Sequence, residues 1–173
     1  MFFAIDAVLK KKAKSPHELF LINILIFHLL LTPATLALGI GRLGLLLPPF
    51  FSGLIILFTY LRSTRTDHWF IVAHWKLALR RARLLLYGYA GTALLLGIGW
   101  LITLGMDKHS MQEIMLTVFT RIAIMPTLIL VMVSAVIEAG SINQATRGEL
   151  PDSLLKHYPA PDSAETLDQP AAD

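Results

Sequence analysis

Four stretches of nearly unbroken apolar sequence, separated by charged or glycine-rich punctuation, dominate the chain. They run from about Leu19 to Leu38, Leu45 to Leu61, Leu84 to Leu104 and Ile114 to Ile137. A helix rises about 1.5 Å per residue and a hydrocarbon core is about 30 Å thick, so segments of this length cross a bilayer as helices. The pattern predicts an all-α membrane protein, a bundle of four transmembrane helices with an interfacial cytoplasmic helix and a disordered C-terminal tail. Residues 1–18 form a basic cytoplasmic N-terminal segment and 19–139 the four-helix domain. Residues 140–173 form a cytoplasmic tail, disordered from about 159.

The polar positions inside the spans are ordered by helical spacing. In the first, His28, Thr32 and Thr35 follow an i, i+4, i+7 stripe that continues to Gly39 and Arg42, so one face is small or polar and belongs inside the bundle. Pro33 deletes the backbone bond to Leu29, and the freed carbonyl calls for a threonine hydroxyl or a kinked turn. In the second, Pro48 and Pro49 suit a first helical turn, and Ser52 and Thr59 share a face. The third carries Gly88, Thr92, Gly99 and Thr103 on a stripe where backbones can approach closely. In the fourth, Thr117, Thr120, Thr127, Ser134 and Glu138 form a polar seam, and Pro126 frees the Ile122 carbonyl.

The connections carry fewer signals. Gly39-Ile40-Gly41-Arg42-Leu43-Gly44 spells a dinucleotide fingerprint, but between two membrane spans rather than a strand and a helix it is a hairpin, with Arg42 at the headgroups. The polar stretch Arg62 to Arg83 supplies Thr66 or Asp67 as a helix cap, with Trp69 and Trp75 as interface anchors and Arg80, Arg81 and Arg83 as a basic collar. The short loop around Asp107 makes an antiparallel hairpin of spans three and four. At the N-terminus the apolar residues precede Lys10, Lys11, Lys12 and Lys14, the reverse of a secretory signal, so the segment is expected to stay on the chain. Phe2, Phe3, Ile5, Val8 and Leu9 make either a short helix in the headgroups or a frayed basic tail. Pro151 can start a short helix through Tyr158.

Composition then narrows the chemistry. With 55% hydrophobic residues, 16% charged and a mean hydropathy of +0.62, the chain is one membrane domain with polar ends. Its net charge of +3 sits beside apolar spans, where basic residues act as topology signals, and a nucleic-acid partner is discounted. Twelve lysines and arginines fall on the side of the termini against two, Arg42 and Lys108, on the other. That bias places both termini in the cytoplasm, of a bacterial inner membrane in this reading. The absence of cysteine removes disulfides, thiolate zinc sites and cysteine nucleophiles.

The candidate site is a buried polar cluster of His28, Thr32, Thr117, Thr120 and Arg121, because Arg121 lies about a third of the way into its span and His28 enters from the other side to a depth within about 5 to 10 Å. A charge at the centre of a span costs at least about 2.5 to 3.5 kcal/mol, so Arg121 needs protein, water or headgroups. The cluster is either an anion, quinone or proton site, or structural, with Arg121 snorkelling or paired with another subunit and His28 donating to a backbone carbonyl. A transmembrane haem is disfavoured because His28 is the one histidine inside a span, and His68 and His74, six residues apart, do not align on one metal and suit interfacial anchoring instead. No catalytic residue, metal or cofactor is assigned. Three functions follow: a non-catalytic subunit or assembly factor of a membrane complex, which leads; an oligomeric transporter or channel around Arg121 and His28; and a membrane enzyme acting on a lipid or quinone. The expected partners are the lipid bilayer and other membrane subunits or further copies of the chain.

Overall fold

The structure is a computed structural model that describes residues 1–38, 42–65 and 67–169, with the side chains of residues 36, 42 and 43 excepted. Strand β1 (Phe2–Phe3) leads into α1 (Ala7–Asn23), a π-helical segment (Ile24–Leu31) and α2 (Thr32–Ala37). A 3-10 turn (Arg42–Leu46) opens α3 (Leu47–Ser63), followed by α4 (Trp69–Thr103), α5 (His109–Thr146), α6 (Asp152–Leu155) and β2 (Thr166–Leu167). Among the described residues the fold is all-α apart from the two short strands, and four helices are long and apolar enough to cross a membrane. Large apolar side chains point outward along them, including Leu57, Leu94, Leu101, Ile129 and Val136. In water such a surface would be unfavourable; in lipid it is the ordinary exterior.

Two compact units make up the chain, Met1–Ala82 with Ala135–Asp173, and Arg83–Ser134. Helices α4 and α5 contribute to both.

In the first unit, a hydrophobic core gathers Phe3, Ala13, Phe70, Ala73, Leu77, Ala145, Leu150 and Leu154. Here the termini depart from expectation. Phe2 and Phe3 are neither a headgroup helix nor a frayed tail but a strand, paired antiparallel with Leu167 and Thr166. The tail beyond residue 159 is therefore placed rather than disordered as far as Gln169. The reason is Phe3, whose ring is buried with Trp69 edge-on at 5.1 Å; anchoring it fixes a strand edge on which the polar tail can hydrogen-bond, Ala4 N–H to Glu165 O at 3.0 Å. Lys76 Nζ also sits 3.6 Å from the centre of the Tyr158 ring.

Gly148 closes α5 at φ +67°, with Glu149 N–H bonded to Gln144 O (2.8 Å) and Gly148 N–H to Ala145 O (3.3 Å). This left-handed cap lets its carbonyl receive Phe3 N–H at 3.0 Å. The helix thus runs past the expected tail boundary at residue 140.

The N-terminal lysines are also helical, because α1 begins at Ala7 and continues into the first span. Ahead of Pro33 the helix widens to π geometry, where Thr32 Oγ1 donates to Phe27 O (3.2 Å) and Thr35 Oγ1 to Thr32 O (2.8 Å). Widening relieves the clash between a proline ring and the carbonyl one turn earlier. The polar stretch before span three is not a separate interfacial helix. Without glycine or proline between Trp69 and Tyr87, and rich in Ala, Leu and Arg, it propagates as one 35-residue α4. His68 Nδ1, 3.3 Å from Phe70 N–H, caps its start, while Asp67 pairs with Arg62 at 3.3 Å; Thr66, the other expected cap, lies outside the described residues, as do Gly39, Ile40 and Gly41 of the expected hairpin.

The second unit holds the remaining parts of α4 and α5 face to face. Its contact is the small-residue stripe of α4. A Cβ at Gly88 would lie 3.1 Å from the Thr127 backbone, and one at Gly99 would lie 2.6 Å from Phe119. Thr92 Oγ1 donates to Ala123 O at 2.6 Å and meets Thr127 Oγ1 at 2.8 Å, close in sequence to Pro126, which lies inside the continuous α5. Close backbones and hydroxyl-to-carbonyl bonds are how helices associate where no hydrophobic effect operates.

Candidate functional site

The first unit buries three titratable side chains in a row. His17 follows Pro16 on α1, on a face with Ala13 and Phe20; His74 lies on α4 between Phe70 and Leu77, and Glu138 on α5 one turn before Ser141. All three are 0% exposed. His17 Nδ1 lies 2.6 Å from Glu138 Oε2, and His17 Nε2 lies 2.9 Å from His74 Nδ1. The imidazoles meet edge to face, 5.2 Å apart at 87°, and the Phe70 ring lies 4.7 Å from the His74 ring. One continuous hydrogen-bonded chain therefore links three helices, with each bond short enough to carry a proton between its two atoms.

Six ring-nitrogen and carboxyl-oxygen atoms make up this chain, and four of them are used in its two bonds. The other two, His74 Nε2 and Glu138 Oε1, are buried with no hydrogen-bond partner among the described residues. Arg81 lies two turns after His74 on the same helix face, and its charge acts on all three groups. Its guanidinium donates to Ile137 O, on the residue before Glu138, at 3.1 Å and to Gln144 Oε1 at 3.3 Å. A buried carboxylate costs free energy unless a positive charge and hydrogen bonds offset it, and Arg81 and His17 offset it here only in part. Farther along α1, Asn23 Nδ2 donates to Ser52 Oγ on α3 at 3.0 Å, also out of solvent.

The residues expected to form a site are placed differently. His28 and Thr32 belong to the first unit, where His28 is buried in the π-helical segment and bonds the backbone of Asn23. Thr117, Thr120 and Arg121 belong to the second. The hydroxyls of Thr117 and Thr120 turn back on their own helix, to Glu113 O at 2.8 Å and Leu116 O at 2.7 Å. Arg121 is exposed, with no hydrogen bond or ion pair among the described residues.

Of the basic collar, Arg83 is exposed, Arg80 donates to Ser153 O at 2.8 Å and Arg81 turns inward. Trp69 packs on Phe3, and Trp75 is buried, 6.0 Å from the Phe58 ring and 5.5 Å from the Arg62 guanidinium. His74 is likewise a core residue and not an interfacial anchor.

Sequence reasoning missed His17 because it was assigned to a basic segment outside the first span. The signal was present: Ala13, His17, Phe20 and Ile24 fall at i, i+4, i+7 and i+11, a helix face continuous with the span. Comparisons with family models, with curated proteins and with solved structures give no match.

Proposed function

We propose that this multi-pass membrane protein serves as a non-catalytic subunit of a larger membrane complex, docking a partner's transmembrane helix on the exposed face of α5 around Arg121. The carrying observation is an exposed polar row that enters an otherwise apolar helix: His109, Glu113, Thr117 and Arg121 recur every four residues, and His109 Nε2 and Glu113 Oε1 are 3.5 Å apart. Arg121 is seven residues beyond Ile114, about 10 Å along the helix axis, where a charge facing lipid tails is unfavourable. A carboxylate or a set of carbonyls on a neighbouring helix would satisfy its five donors.

The small-residue stripe of α4 supports the same face, since it is already occupied by α5 and leaves α5's outer side as the polar surface free for a partner. The bias of twelve basic residues against two favours an orientation with both termini in the cytoplasm, which in a bacterium means the inner membrane.

Co-purification of the full chain in a mild non-ionic detergent tests the proposal. Stoichiometric retention of other membrane proteins by the wild type, lost on Arg121→Leu while the variant stays monodisperse, is the expected outcome. Retention of the same partners by Arg121→Leu, or a wild-type chain that elutes alone or only with copies of itself, would refute it.

A further inference from the structure

We propose that Glu138, His17 and His74 form a buried one-proton store, loaded through His74 Nε2 and holding its proton on the Glu138 carboxyl. The inference is independent of the subunit reading and rests on how donors and acceptors are distributed along the chain. In the unloaded form, His74 Nδ1–H donates to His17 Nε2 and His17 Nδ1–H donates to the ionised Glu138 Oε2, which satisfies both observed contacts with two neutral rings. His74 Nε2 then presents a lone pair with nothing bonded to it.

A hydronium or water molecule at His74 Nε2 supplies the proton. As Nε2 gains it, Nδ1 passes its own to His17 Nε2, and His17 Nδ1 passes its own to Glu138 Oε2. The donor leaves as water or hydroxide, and no oxidant or further reactant is required. The loaded chain has a neutral carboxylic acid donating to His17 Nδ1 and His17 Nε2–H donating to His74 Nδ1, over the same two distances. Every hydrogen bond survives with its polarity reversed, so moving the proton along the chain needs no movement of the helices.

Buried polar atoms in folded proteins are partnered in at least about nine cases in ten, and a fixed carboxylate accepts on both oxygens. Here the interior of the chain is fully bonded, and the two atoms without partners are its two ends. Glu138 Oε1 has no donor to hold the charge, whereas Arg81 acts on the group from α4 without a direct hydrogen bond to it; the carboxyl can therefore exist in either state. Because loading leaves both rings in the opposite tautomer, and Phe70 packs on His74 at 4.7 Å, the proton returns by the way it came. That makes the chain a reversible store and not a one-way conduit.

Infrared difference spectroscopy on the full-length protein in detergent, stepped between two pH values and repeated in heavy water, tests the store. The wild type is expected to give a reversible carbonyl-stretch band of a protonated, buried carboxyl, and Glu138→Gln to lose it. His74→Phe should retain the band at equilibrium while slowing its isotope exchange by at least about a hundredfold, the usual scale for removing a positioned proton-transfer group. If Glu138→Gln does not fold, Glu138→Asp, which keeps the acid, must shift the band. A wild type with no such band at any pH at which its near-ultraviolet circular dichroism is native would overturn the proposal. So would a band indifferent to the Glu138 variant that folds, or exchange at the wild-type rate in His74→Phe.

Discussion

Gly148→Ala tests the union of the two chain ends, the feature by which the structure departs most from the pattern of its sequence. Gly148 sits at φ +67°, where an L residue with a Cβ is strained by about 1 to 2 kcal/mol. Alanine recovers about 0.4 to 1 kcal/mol of this by restricting the unfolded chain. The new Cβ would also lie 2.7 Å from Phe3 O, a backbone atom that cannot swing aside. To make room, β1 must withdraw, and the Phe3 N–H to Gly148 O bond of 3.0 Å lengthens or breaks at a cost of about 0.5 to 1.5 kcal/mol.

The net loss is about 2 kcal/mol, localised at the junction of β1 with the end of α5. In hydrogen exchange read by mass spectrometry, a peptide covering the first six residues should exchange about thirtyfold faster, since each 1.4 kcal/mol is a factor of ten. Gly140→Ala is the control. It lies inside α5, its added Cβ meets nothing within 4 Å, and it should hold or raise stability. Unchanged exchange in Gly148→Ala, or equal acceleration in both variants, would show that the termini are not joined there.

Two further outcomes follow from the helix packing and the charge distribution. Gly99→Ala places a Cβ 2.6 Å from Phe119 and should lower the thermal midpoint by an overpacking cost of about 1 to 3 kcal/mol, while Gly97→Ala two residues away meets nothing and should not; equal midpoints would contradict the α4 to α5 contact. Reporter fusions at Lys108 and after the C-terminal residue should report opposite sides of the membrane, and a common side would contradict the proposed orientation.

The membrane helices were legible because each rests on a local pattern. Length and apolarity mark the four spans, and the period linking Gly88, Thr92 and Gly99 marks the face that α5 covers. Even the Pro33 distortion could be anticipated, though the hydroxyl of Thr32 reaches Phe27 O rather than the Leu29 carbonyl. What escaped is non-local. His17 and Glu138 are 121 residues apart and His17 and His74 are 57 apart, and no periodicity couples positions on separate helices. Along the sequence His74 pairs most readily with His68, six residues earlier, whereas in the structure His68 caps α4 and the partner of His74 is His17 on α1. The tail was judged by its own composition, which is too polar to order alone, but β2 borrows order from a strand that Phe3 anchors 163 residues earlier.

The cluster at the chain ends and the α4–α5 pairing within the second unit are built from different parts, although the first unit also holds the first two membrane spans. In the first, large rings such as Phe3 and Phe70 are buried with Leu150, a solution that works where water drives apolar groups together. In the second, lipid would solvate those same groups as well as protein does, so glycines and a threonine carry the contact. The Glu138 chain belongs to the first kind of environment by its neighbours, which include Phe70 and the guanidinium of Arg81, yet it sits on helices of the second kind in length and apolarity. A carboxyl in that position is shielded from bulk water and still within one side chain of a fixed positive charge. Neither surface carboxylates nor a lipid-facing acid combine those conditions, and together they let a single proton be held without unfolding the protein around it.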